Sequence, residues 1–149
     1  MKIKIQEHDF DVGDEICDLA GGDLGVGGVA SFVGRVRLDK ASGEVSALTL
    51  EHYPAMTQKT LEGIAAEAAR RWQVRDAVVI HRVGRLKPGE RIVLVAVASP
   101  HRADAFAACQ FIVDYLKTRA PFWKKEQTPA GERWVEAKAS DEDAAARWQ

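Results

Sequence analysis

The chain has 149 residues, the length of one ordinary domain with a core of its own. Hydrophobic residues make up 46% and charged residues 29% of it, with 21 Lys and Arg against 22 Asp and Glu. A net charge of −1 argues against bulk electrostatic attachment to nucleic acid or membrane, so any anion site must be a local concentration of charge.

Lys2–Gln6 alternates polar and apolar residues and reads as a short strand, not as a signal peptide. Val12–Ala20 has the length of a short helix and runs into GGDLGVGG, whose five glycines make a connection. Gly28–Arg37 reads as a strand, Leu38–Val45 as a polar loop, and Ala47–Tyr53 as a strand stopped by Pro54. From Thr57 to about Trp72 the apolar spacing becomes helical. Ala77–Val83 and Arg91–Ala98 read as pairing strands separated by the turn Lys87–Glu90. Ser99 and Pro100 have the chemistry of a helix start, and Phe106, Cys109, Ile112, Val113 and Leu116 form the stripe of a helix ending before Pro121. Arg133–Lys138 is a last strand and Ser140–Gln149 a terminal helix. This is one α+β domain without repeat or linker. No apolar run approaches the ~20 residues of a spanning helix, and the cytosol is the expected compartment. Cys17 and Cys109 lack metal-type spacing; Cys109 is expected as a buried thiol, and nothing favours a disulfide between the two.

Three places carry candidate chemistry. His101 and Arg102 occupy the first turn of a predicted helix, where exposed N–H groups already make the end positive. An anion there would satisfy both, and an ion pair of Arg102 with Asp104 would serve as well. Lys117 stands at the other end of that helix, followed by Arg119, Pro121, Phe122, Trp123, Lys124 and Lys125. As a solvated face these cations mean little. Wrapped by proline and aromatics, a lysine suits acid/base or acyl-accepting work. Arg35 and Arg37 share one strand face around a core-facing Val36. His52 and His81 read as structural histidines, since no acid or cysteine stands near them at ligand spacing, and a metal site is not expected. The chain lacks a P-loop, a serine elbow and a dinucleotide fingerprint.

Taken together, VASFVGRVR, LTLEHYPAMT, VIHRVGRLKPGE, SPHRADAF, DYLKTRAPFWKKE and GERWVEAK closely resemble, in order and spacing, the large catalytic subunit of molybdopterin synthase. The resemblance runs from about Gly28 to the C-terminus; the first 25 or so residues add little. It implies an α/β hammerhead with an additional antiparallel β-sheet. It also implies a sulfurtransferase acting on cyclic pyranopterin monophosphate. The sulfur would arrive as a thiocarboxylate on the C-terminal Gly-Gly of a small ubiquitin-like subunit. A homodimer of large subunits would form the centre of a heterotetramer, with no nucleic acid or membrane partner. No cofactor is implied, because the sulfur arrives already activated. Carried over by position, the site residues are Arg35, Val36, Arg37, His101, Arg102, Lys117, Lys124, Lys125 and Glu126. Lys117 is then the expected catalytic lysine, with Lys124 stabilising charge on phosphate or opening alkoxide. Arg37, His101 and Arg102 would clamp phosphate, and backbone groups around Arg35 and Val36 the pterin. Rival readings are a non-catalytic scaffold of the same complex, a single-strand nucleic-acid module stacking bases on Phe122 and Trp123, and a phosphate-ester hydrolase.

Overall fold

A computed structural model describes residues 1–37, 45–135 and 139–149. The predicted loop Leu38–Val45 lies almost wholly outside them, as does the end of the predicted strand Arg133–Lys138. In chain order the elements are β1 (Lys2–Gln6), α1 (Val12–Asp18), β2 (Gly28–Arg35), β3 (Ala47–His52), α2 (Pro54–Arg71) and β4 (Asp76–Arg82). There follow β5 (Gly84–Leu86), β6 (Arg91–Ser99), α3 (Arg102–Thr118), β7 (Phe122–Thr128), β8 (Gly131–Val135) and α4 (Ala139–Ala146).

The strands make two four-stranded sheets, ordered β1-β4-β6-β2 and β5-β3-β7-β8. The first is antiparallel except for β1 beside β4, and the second is antiparallel throughout. The first sheet is covered on both faces. Ala77, Val79, Val93, Val95 and Val97 meet Leu61, Ile64 and Ala68 of α2 and Ala105, Ala108, Phe111 and Ile112 of α3. On the opposite face Val78, Ile80, Leu94 and Ala96 meet Phe10, with Val12 and Ile16 of α1 packed against them. Double coverage is why AVVI and IVLVAVA read as unbroken apolar runs. Among the described residues no helix is long and apolar enough to cross a membrane.

Several boundaries differ from the sequence expectation. Helix α2 starts at Pro54, because the proline that ends β3 also suits the first helical position. Helix α3 starts at Arg102, two residues after the expected Pro100, with His101 as its cap. Ser99 instead closes β6, and its Oγ accepts from the His101 N–H at 3.3 Å. Phe106 leaves the buried stripe, at 66% exposure; Ala105, Ala108, Phe111 and Tyr115 hold that face with Cys109, Ile112 and Leu116. Burial pushes the Cys109 thiol up to about 11, and Cys17 is free and exposed. Strand β2 ends at Arg35, where its register with β6 shifts. The largest difference is β7. The stretch after Pro121, for which the sequence predicts only that the helix has ended, is a strand paired on both sides by β3 and β8. Strand β5 was not anticipated.

The glycine-rich connection has a steric reason at Gly27. Its N–H donates to the Ser99 carbonyl at 2.9 Å, and a Cβ there would stand 2.1 Å from the Pro100 carbonyl oxygen. Gly28, by contrast, has nothing within 4 Å of an added Cβ. Gly27→Ala should therefore cost about 1–3 kcal/mol while Gly28→Ala stays within about 0.5 kcal/mol of the parent, read from denaturant midpoints. Equal effects at the two positions would contradict the close approach.

His81, near the end of β4, is 8% exposed and shares the face of Ala77 and Val79. Burial, and secondarily the charges of Lys117, Lys124 and His52, pushes its pKa from 6.5 down to about 4. Between these values the unfolded chain takes up a proton that the folded chain refuses, so stability falls as pH falls through that window. Thermal midpoints at pH 7 and pH 5 should drop less in His81→Phe than in the parent, and equal drops would remove His81 as the cause.

Candidate active site

The end of α3 and the start of β7 enclose a narrow cleft of about 70 Å³. Its apolar walls are Leu50, Ile92, Val93, Val113, Leu116 and Phe122, and its polar groups are His81, Lys117 and Lys124. Helix α3 supplies Lys117 from its last turn, where a cation complements the free carbonyls. Lys124 arrives from β7. Successive strand residues point to opposite faces, so Phe122 and Lys124 line the cleft while Trp123 and Lys125 turn away. The sequence alone does not choose between the two lysines; strand pairing chooses Lys124.

Lys125 is turned to the other side of the second sheet. Its Nζ lies 3.8 Å from Glu51, 3.5 Å from Glu132 and 4.8 Å from the centroid of the Trp134 ring. The expected substrate contact at Lys125 is therefore not placed in this cleft. Glu126 follows Lys124 on the same strand and receives the Arg133 guanidinium at 2.9 Å, across from it on β8. Phe122 stacks on the His81 ring, centroids 4.0 Å apart and planes 20° apart, and Trp123 sets its edge against Tyr53. One aromatic is thus an inner wall and the other is surface, 41% exposed. A pair of stacking platforms for bases is not what this arrangement offers.

The remaining expected residues lie elsewhere on the chain. Arg35 lines a separate open groove with Asp9, Val12, Val33, Glu90 and Arg91, on the α1 side of the first sheet, and its Nε donates to the Gly89 carbonyl at 3.0 Å. Val36 is buried. Its N–H donates to the Glu90 carbonyl at 2.8 Å and its carbonyl accepts from the Gly89 N–H at 2.7 Å. Those backbone groups, among the ones expected to hold a pterin, bond to the 89–90 turn. Arg37 is exposed, at the end of the described stretch.

His101 and Arg102 are exposed at the start of α3. The expected alternative, an Arg102–Asp104 pair, is not formed; Asp104 accepts the Gln73 N–H at 2.8 Å. From Arg102 to Lys117 the helix rises about 22 Å, so one chain cannot bring both groups to one small ligand. Proximity in motif order does not become proximity in space. His81 is the residue that sequence reasoning set aside. The available signal was a single imidazole ending the otherwise apolar run AVVIH, a position the fold buries beside the two lysines.

A larger groove of about 510 Å³ lies between α2 and α3, lined by Arg71, Phe111, Tyr115 and Arg119 among others. None of the expected site residues lines it, and its two guanidiniums lie over the Phe111 and Tyr115 rings. Size alone does not make it the reacting centre.

Comparison with known proteins agrees with the motif reading. A family model described as "MoaE protein" matches residues 5–119. The molybdopterin synthase catalytic subunit of Ralstonia nicotianae is 58% identical over 146 residues, covering 98% of this chain and 83% of that protein. The protein of the same description from Pseudomonas aeruginosa is 53% identical over 149 residues, covering 100% and 99%. A solved structure, the molybdopterin biosynthesis MoaE protein from Burkholderia ambifaria, matches with a TM-score of 0.83 at 54% identity, covering 99% of this chain and 97% of that one. With the family model matching most of its length and near full-length relatives above half identity, this chain belongs to the MoaE protein family.

Proposed function

We propose that the protein is the catalytic subunit of a molybdopterin synthase, the sulfurtransferase that makes the dithiolene of molybdenum cofactor. The observation that carries this reading is the convergence of Lys117 and Lys124, from different elements, on one narrow apolar cleft. Relatives described as molybdopterin synthase catalytic subunit support it at more than half identity. The donor is a small ubiquitin-like subunit whose C-terminal Gly-Gly carries a thiocarboxylate, and the acceptor is cyclic pyranopterin monophosphate.

Physical chemistry fits the cleft to this task. A tail without side chains can enter a passage that other C-termini cannot. Two ammonium groups, Lys124 from a half-buried position and Lys117 from an exposed one, offset the repulsion between an anionic thiocarboxylate and a phosphate-bearing substrate. Lys117 assists proton transfer as the thiocarboxylate sulfur attacks the pterin side chain and displaces an oxygen leaving group; water then cleaves the acyl–sulfur bond, leaving sulfur on the pterin and a carboxylate on the small subunit. Lys124 stabilises the charge released when the cyclic phosphate opens. Reconstitution with the thiocarboxylated small subunit and cyclic pyranopterin monophosphate tests this by dithiolene formation. Lys117→Ala and Lys124→Ala should each lower turnover about 10²-fold or more, and Lys125→Ala only a few-fold. A parent protein that binds the small subunit yet makes no dithiolene would leave a scaffold in place of an enzyme.

The length of α3 adds a requirement. If His101 and Arg102 hold substrate phosphate beside Lys117, they must come from a second copy of the chain, in keeping with the homodimer implied by the family resemblance. Mixing inactive Arg102→Ala and Lys117→Ala proteins then creates hybrid dimers with one intact site. With random exchange between two-fold dimers, activity should return to about one quarter of the parent value. No recovery after verified exchange would confine each site to one chain.

A further inference from the structure

We propose that His81 is a positioning residue whose Nε2 accepts the last backbone N–H of the incoming glycine tail. The inference rests on the reading that the cleft receives that tail, and it adds a specific group to it.

The tautomer follows from geometry. His81 Nδ1 lies 2.8 Å from the Arg82 carbonyl oxygen, which can only accept, so Nδ1 carries the proton and Nε2 presents a lone pair. Stacking on Phe122 holds the ring plane, and the neighbouring strand positions, Ile5 and Val93, hold the backbone on either side. No hydrogen bond within the described chain occupies Nε2, yet the atom is not among the sealed, unpartnered polar atoms of the interior. It therefore opens onto the cleft that the ring lines.

The rest of the cleft makes this acceptor meaningful. Its other polar side chains, Lys117 and Lys124, are donors only. An extended tail presents both carbonyl oxygens and N–H groups, and a buried N–H left without an acceptor costs free energy. The lysines match the acyl oxygen and sulfur; His81 alone among these three side chains matches the amide. Burial keeps the ring neutral at physiological pH, the form in which Nε2 accepts. Fixing that amide sets the acyl group between the two ammonium groups.

The test uses a semisynthetic small subunit whose last peptide bond is either the amide or an ester, which lacks the N–H. The ester should weaken binding to the parent about five- to tenfold, the effect of one neutral hydrogen bond. His81→Phe, which keeps a stacking ring, should bind the amide tail about as weakly as the parent binds the ester, with no further loss on ester substitution. His81→Gln, whose Oε1 again offers an acceptor, should restore part of the discrimination. Thermal midpoints identify any variant that fails to fold, and the Gln variant then carries the comparison. An ester that costs nothing in the parent, or costs the same in parent and Phe variant, overturns the role of His81. A small subunit lacking both glycines that binds as well as the intact one overturns the cleft reading itself.

Discussion

Helix α3 is pinned along the first sheet by a continuous buried face, from Ala105 and Ala108 through Phe111 and Ile112 to Tyr115 and Leu116. Those contacts leave it little freedom to slide or tilt, because well-packed interiors respond to small displacements at a cost. The two ends of a rigid rod are thereby held about 22 Å apart, one bearing His101 and Arg102 and the other Lys117. The candidate residues on α3 are divided by this separation. The lysine end becomes a cleft because β7 crosses it, and the His-Arg end is left exposed, with no acid paired to it among the described residues.

The second sheet sets the direction in which β7 presents its side chains. Its pairing with β3 sets Lys124 against Leu50 and Phe122 against His52, which fixes which alternate residues look toward α3. A slip of one residue would exchange Lys124 for Lys125 and Phe122 for Trp123. Contacts across strands and between the sheets oppose that slip on both faces. Glu126 with Arg133 and Phe122 with His81 hold one side, and Lys125 with Trp134 and Trp123 with Tyr53 hold the other. The cleft's cationic character thus depends on register as much as on composition.

How far the sequence discloses this depends on the kind of signal. Runs buried on both faces, such as Arg91–Ala98, announce themselves, and so does the helical spacing of Leu61, Ile64 and Ala68. Strand β7 does not, because FWKKEQT carries aromatic and charged residues side by side without alternation, and its two faces are distinguished only by the strands that flank it. The start of α3 misleads for a similar reason: Ser99 and Pro100 have capping chemistry, but the ladder with β2 extends β6 through Ser99. At the site, Lys117 and Lys124 were legible as candidates through local charge and motif resemblance. Their meeting with His81 is a tertiary fact that no local pattern encodes, whereas the distance to Arg102 follows from the length of the predicted helix. The assignment to a family came from several motifs in register, never from composition.

The most direct measurement of the central claim, that the α3–β7 cleft receives an acyl-bearing glycine tail beside two lysines, is a map of acyl transfer. The small subunit would be supplied with its C-terminal carboxyl activated as an ester, and the isopeptide bonds formed on this protein located by mass spectrometry. Modification concentrated on Lys117 or Lys124, and abolished by removing the two glycines, is the expected result. Modification spread over exposed lysines such as Lys59 and Lys87, with the cleft lysines untouched, would contradict the account.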